Sequence, residues 1–130
     1  MVAGAVAGSF QAMSPDSSVW LGQVDRAYAD AHGGEGALVG ATTRYAVSPV
    51  VIAMWRDTAQ SMGYPDKSLG WSDLLAKAQA DQNFKWSHPS TASASGLLAT
   101  LAEFYAATGK TRGLTVEDVQ AQRALDYVNA

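Results

Sequence analysis

The residues best placed to do chemistry fall in one run, Phe84-Lys-Trp-Ser-His-Pro-Ser-Thr-Ala-Ser-Ala-Ser-Gly-Leu-Leu-Ala-Thr-Leu-Ala-Glu-Phe-Tyr-Ala-Ala-Thr-Gly109. It reads as a short strand, a polar turn of Ser, Thr and Gly, and an amphipathic helix that begins at the turn. Free N–H groups at a helix start, the positive end of the macrodipole and several short hydroxyls would converge there. A carboxylate, a phosphate or another oxyanion could then be held without a basic side chain. Ser93, Ser95 and Gly96 occupy the helix start, and ordinary capping accounts for the same residue types. His88, beside Pro89, reads either as a hydrogen-bond partner for a bound ligand or as a satisfied structural histidine.

Covalent chemistry is harder to assemble from this chain. A serine nucleophile needs a base and a group that orients the base. Ser95 with His88 or His32 and an aspartate can be drawn on paper, yet such triples arise by chance in most sequences. The Gly-x-Ser-x-Gly elbow, the Walker lysine loop and the dinucleotide glycine fingerprint are all missing. Glu117 and Asp118 sit at a helix start, where carboxylates complement the dipole. His32 has no second ligand at metal spacing beside it and reads as a residue of a helix's last turn, so neither a metal nor a cofactor is expected.

Elements must position these groups. Ser14-Pro-Asp-Ser-Ser18 is a turn cluster, and residues 20–31 have the 3–4 spacing of a helix, stopped by His32-Gly33-Gly34. Residues 37–40 and 44–55 are the most strand-like, and Val50-Val51-Ile52 suits a strand buried on both faces of a parallel sheet. Pro49 marks a strand start, a bulge or an exit from one sheet to another. Helices are expected over 56–62, 71–80 and 96–108. In the last of these, Leu97, Leu98, Leu101, Phe104 and Tyr105 form a core-facing stripe. Thr115-Val-Glu-Asp118 has the form of a capping box opening a helix that carries Val119, Leu125 and Val128. Strands alternating with helices predict an α/β fold with a short, mostly parallel sheet flanked by helices.

Composition narrows the function class. The 130 residues are 48% apolar and 16% charged, with a formal net charge of −3. This suits one soluble globular domain of modest size, and it offers no basic footprint for nucleic acid. With no cysteine, disulfides and thiolate metal sites are excluded while the compartment stays open. The small apolar run at residues 1–8 reads as a loop or the frayed start of an element. It has neither the basic flank nor the apolar core of a secretory signal, and no stretch reaches the roughly 20 apolar residues of a membrane span.

Three landmarks carry a resemblance: Ser48-Pro-Val-Val-Ile-Ala-Met-Trp55, Gly70-Trp-Ser-Asp-Leu-Leu75, and Lys85-Trp-Ser-His-Pro followed by Ser95-Gly-Leu-Leu-Ala99. In order and spacing they resemble the second lobe of bacterial extracellular solute-binding proteins of the type II periplasmic-binding-protein fold, and Ser14–Trp20 resembles a first-lobe loop. The resemblance implies a binding module for a small polar or anionic solute, delivered to an ABC transporter permease or a sensor outside the cytoplasm, with no cofactor and no membrane insertion of its own. It implies residues 1–47 as a remnant of the first lobe, and 48–130 as a hinge strand with part of the second. Ser17, Ser18 and Ser48 would meet the solute from the first lobe and the hinge, and His88, Ser93, Ser95 and Gly96 from the second. Tyr45 and Trp86 would line the cleft or belong to a core. Against that family the chain is much too short, which implies a fragment whose incomplete sheet would be weakly stable or self-associating. A small α/β hydrolase using a Ser/His site at the same helix start is the alternative.

Overall fold

Local capping signals set most of the architecture. The computed structural model describes residues 2–9 and 11–129; Met1, first residue of the small apolar run, lies outside the described residues. The chain divides into two compact units, residues 1–48 and 49–130.

In the first unit, α1 (Val2–Val6) packs on α2 (Val19–Ala31). A short helix therefore stands where a loop or frayed start is expected. Ala5 of α1 and Val24 of α2 are buried. Before α2, the Trp20 indole N–H donates to Asp16 Oδ1 at 2.8 Å. After it, the chain leaves through His32 at the C-cap and Gly33 at φ +79°, a left-handed conformation that glycine adopts without penalty. Asp25 Oδ1 then accepts the N–H groups of Leu38 (2.9 Å) and Val39 (2.8 Å), tying the following chain back to the helix.

The second unit holds α3 (Arg56–Ser61), α4 (Trp71–Ala80), α5 (Ala94–Thr108), α6 (Val116–Gln120) and α7 (Gln122–Asn129). Helices α4, α6 and α7 all pack against α5. The starts obey their caps. Asp73 Oδ2 accepts from Gly70 N–H at 2.9 Å. Ser93 Oγ accepts from Gly96 N–H at 3.2 Å. Thr115 and Asp118 exchange hydrogen bonds in a full capping box.

The expected α/β lobe with its parallel sheet is overturned: no strand exists among the described residues. Residues 37–40, 44–55 and 84–88 all lie outside regular structure, apart from the chain's turn into α3 after Trp55. A strand is stable only when neighbours satisfy its backbone N–H and C=O groups and cover its faces. The β-branched run of this chain has no such neighbour. Val47, Val50, Val51 and Trp55 are exposed instead, so the buried hinge strand expected at Ser48–Ile52 does not form. The expectation of fragile sheet edges loses its basis with the sheet.

Two further departures concern helices. The buried face of α5 is not the leucine stripe but Ala94, Gly96, Ala99, Glu103 and Ala107; the leucines are half-buried at its flanks. Small side chains allow neighbouring backbones to come close and so become the most completely covered. The C-terminal helix, expected to be continuous, is broken at Ala121, which is extended at φ −61° and ψ 128°. Alanine is the best helix former, so its own preference does not explain the break. The change of direction lets α7 bury Ala124 and bring Tyr127 to the cavity that Glu103 lines.

Candidate functional site

The phase of α5 is fixed at its start. An atom in the Cβ position at Gly96 would lie 2.2 Å from the carbonyl oxygens of both Pro89 and Ser90, so the preceding loop can close over the helix only if residue 96 is glycine. From there, Ala99, Glu103 and Ala107 follow on one face. Glu103 is thus carried inward among α4, α5 and α7, where it is 3% exposed.

The cavity it lines is about 20 Å³ in volume, space for one water-sized group. Trp71, Leu74, Leu75 and Ala78 of α4 and Tyr127 and Val128 of α7 complete it, with Trp86 from the loop before α5. Two buried polar atoms have no hydrogen-bond partner, Glu103 Oε1 and Tyr127 Oη, and both residues line this cavity. Burial pushes the Glu103 carboxyl above the ordinary glutamate range, against a weaker opposite pull from His88. The Tyr127 phenol is also pushed up, first by burial and then by the negative charges of Glu103 and Asp73.

Aromatic rings form one side. Trp71 and Trp86 stand 5.6 Å apart between ring centroids at 59°, and His88 follows 5.8 Å from Trp86. The His88 Nδ1–H donates to the Pro89 carbonyl at 2.7 Å. This leaves Nε2 facing Glu103 Oε1 at 3.9 Å, too far for a hydrogen bond. Trp86 also borders an open groove of about 530 Å³ with Ala78, Gln82, Phe84 and Lys85.

The residues singled out from sequence are placed as follows. Ser93 spends its hydroxyl on capping, accepting from Gly96 N–H and donating to the Ser90 carbonyl at 2.8 Å. Ser95 is exposed, and no hydroxyl of the described serines is bonded to His88. The start of α5 is therefore occupied by its own loop, and the Ser/His pairing of a hydrolase is not assembled. Trp86 lines the Glu103 cavity and His88 Nε2 approaches Glu103 at 3.9 Å, but His88, Ser93, Ser95 and Gly96 are not among the lining residues. In the first unit, Ser17 Oγ accepts from Val19 N–H at 3.3 Å and Ser18 is the α2 N-cap without a side-chain bond. Ser48 and Tyr45 are exposed, Tyr45 sharing a hydrogen bond with Ser14 at 2.6 Å. Among the described residues no cluster of three or more His, Asp or Glu forms a metal site, and no helix is long and apolar enough to cross a membrane.

Glu103 and Tyr127 were the residues that sequence reasoning missed. A signal for Glu103 exists: it falls in step with Gly96, Ala99 and Ala107, the small-residue face, and is the lone charge of α5. Tyr127 has none, because it depends on the break at Ala121. No family model, curated protein or solved structure matches the chain.

Proposed function

We propose that the cavity between α4, α5 and α7 is a reversible binding site for a small polar solute, and that the second unit works as a binding module without turnover. One observation carries this reading: two buried polar atoms without protein partners, Glu103 Oε1 and Tyr127 Oη, share a cavity flanked by a pair of tryptophans. Native interiors leave few such groups unsatisfied, and each one calls for a partner. A pocket with apolar walls and few convergent polar groups has the make-up of a small-ligand site. The buried carboxyl disfavours an anion there, so of the solutes expected from sequence the polar ones fit and the anionic ones do not.

The test is site-resolved. Each of the four tryptophans, Trp20, Trp55, Trp71 and Trp86, gives one indole N–H resonance in a nitrogen-15 correlation spectrum. Small alcohols, amines, amides and sugars are titrated to millimolar concentration. Saturable shifts at Trp71 and Trp86, with Trp20 and Trp55 unmoved, support the site, and Trp86→Ala should abolish them. Indole resonances that stay fixed under every solute class would refute it.

A further inference from the structure

We infer that the site takes the primary ammonium head of a small monoamine, with the amine's short alkyl chain lying along Trp86 into the adjoining groove. This rests on the solute-site reading above and adds the ligand's charge and size. Four observations converge. The cavity admits only a water-sized group, which matches –NH₃⁺ and excludes a quaternary ammonium. Its unsatisfied atoms are a carboxylate oxygen, which only accepts when ionised, and a phenol oxygen, which accepts as well as donates, so a partner carrying more than one N–H can satisfy both. No lysine or arginine lines the cavity, which leaves a buried carboxylate without a fixed countercharge. The two indoles beside it supply faces that attract a cation.

The groove determines the rest of the ligand. Ala78 and Trp86 border both the cavity and the groove, so the two adjoin at these side chains. Lys85 lines the groove, so a second ammonium on the same ligand would meet a like charge. A monoamine is therefore favoured over a polyamine.

Protons compete with such a ligand. The ammonium pairs with ionised Glu103, whereas burial favours the protonated carboxyl, so affinity must rise with pH. The other titratable groups near Glu103 are His88 from the preceding loop, Tyr127 from α7 and, farther off, Asp73 from α4, the last already paired with Lys67. Amine binding therefore weakens as pH falls.

The experiment uses the full chain and four probes: n-butylamine, n-butanol, tetramethylammonium and acetate, followed through the indole N–H resonances. The expected result is saturable shifts at Trp71 and Trp86 with n-butylamine alone. Its affinity should strengthen with pH in the wild type and weaken by roughly tenfold or more in Glu103→Gln, the loss associated with a charge-assisted hydrogen bond. The wild-type pH dependence tests the charge independently of whether the variant folds. If n-butanol binds as well as n-butylamine, or if amine affinity is flat with pH, the solute site stands and the ammonium inference falls. If tetramethylammonium binds equally, the size argument falls with it. Silence from all four probes overturns the inference, and fixed indoles across the wider solute screen would overturn the solute-site reading as well.

Discussion

Replacing Glu103 by Gln should stabilise the ligand-free protein near neutral pH and leave it unchanged in acid. The carboxyl is 3% exposed, its Oε1 has no hydrogen-bond partner, and the nearest imidazole nitrogen lies 3.9 Å away. A buried polar group without a partner costs about 1–3 kcal/mol, and more when it is charged. Gln keeps the shape and removes the charge, so Glu103→Gln should gain about 1–2 kcal/mol, and Glu103→Leu, which removes both polar atoms, about 1–3 kcal/mol. For a unit of roughly 60–100 residues, each kcal/mol moves the midpoint of thermal unfolding by about 4–8 °C. The pH dependence follows from the raised native carboxyl. Below the unfolded-state value both states hold the proton and no charge is buried. As pH climbs from there through the raised native value, the unfolded chain releases its proton first and wild-type stability declines; above the native value the loss is complete. Thermal unfolding followed by circular dichroism at about pH 4 and about pH 7.5 should therefore show the advantage of Glu103→Gln only at the higher pH, and that of Glu103→Leu increasing with pH. A Glu103→Gln protein equal to or less stable than wild type at about pH 7.5 would refute the argument, because the carboxylate would then have a partner.

Three other outcomes follow from the start of α5. Gly96→Ala places a methyl group 2.2 Å from two backbone carbonyl oxygens, which cannot yield as a flexible side chain would. Chemical denaturation should show a loss of about 2–4 kcal/mol, above the 1–3 kcal/mol common for overpacking. Ser93→Ala removes the cap of Gly96 N–H and should lose about 1 kcal/mol. The exposed Ser95→Ala should stay within about 0.5 kcal/mol of wild type and bind solute unchanged, whereas a measurable loss of binding in Ser95→Ala would return the site to the helix start.

Helix positions were legible in the sequence because their causes are short-range. Ser93, Thr115 and Asp118 cap helices through hydrogen bonds spanning three residues, and the stop of α2 rests on glycines that accept positive φ. Bonds of that range are written in neighbouring letters. Strand formation is different, since the run at Val50–Ile52 has strand-forming side chains but needs a partner from elsewhere in the chain, and no strand exists among the described residues. The α/β expectation failed at that step. Which face of α5 is buried, and where the C-terminal helix breaks, also depended on how closely neighbouring helices approach. The candidate site follows the same division. His88 and Trp86 stood out by type and place, but Glu103 became a buried, partnerless acid only when α4 and α7 closed over it. The sequence by itself determined the capped starts of α5 and α6 and the glycine stop after α2, through local capping and turn chemistry. Only the tertiary structure decided which residues share a cavity, because burial and the loss of hydrogen-bond partners arise from contacts between segments far apart in the chain.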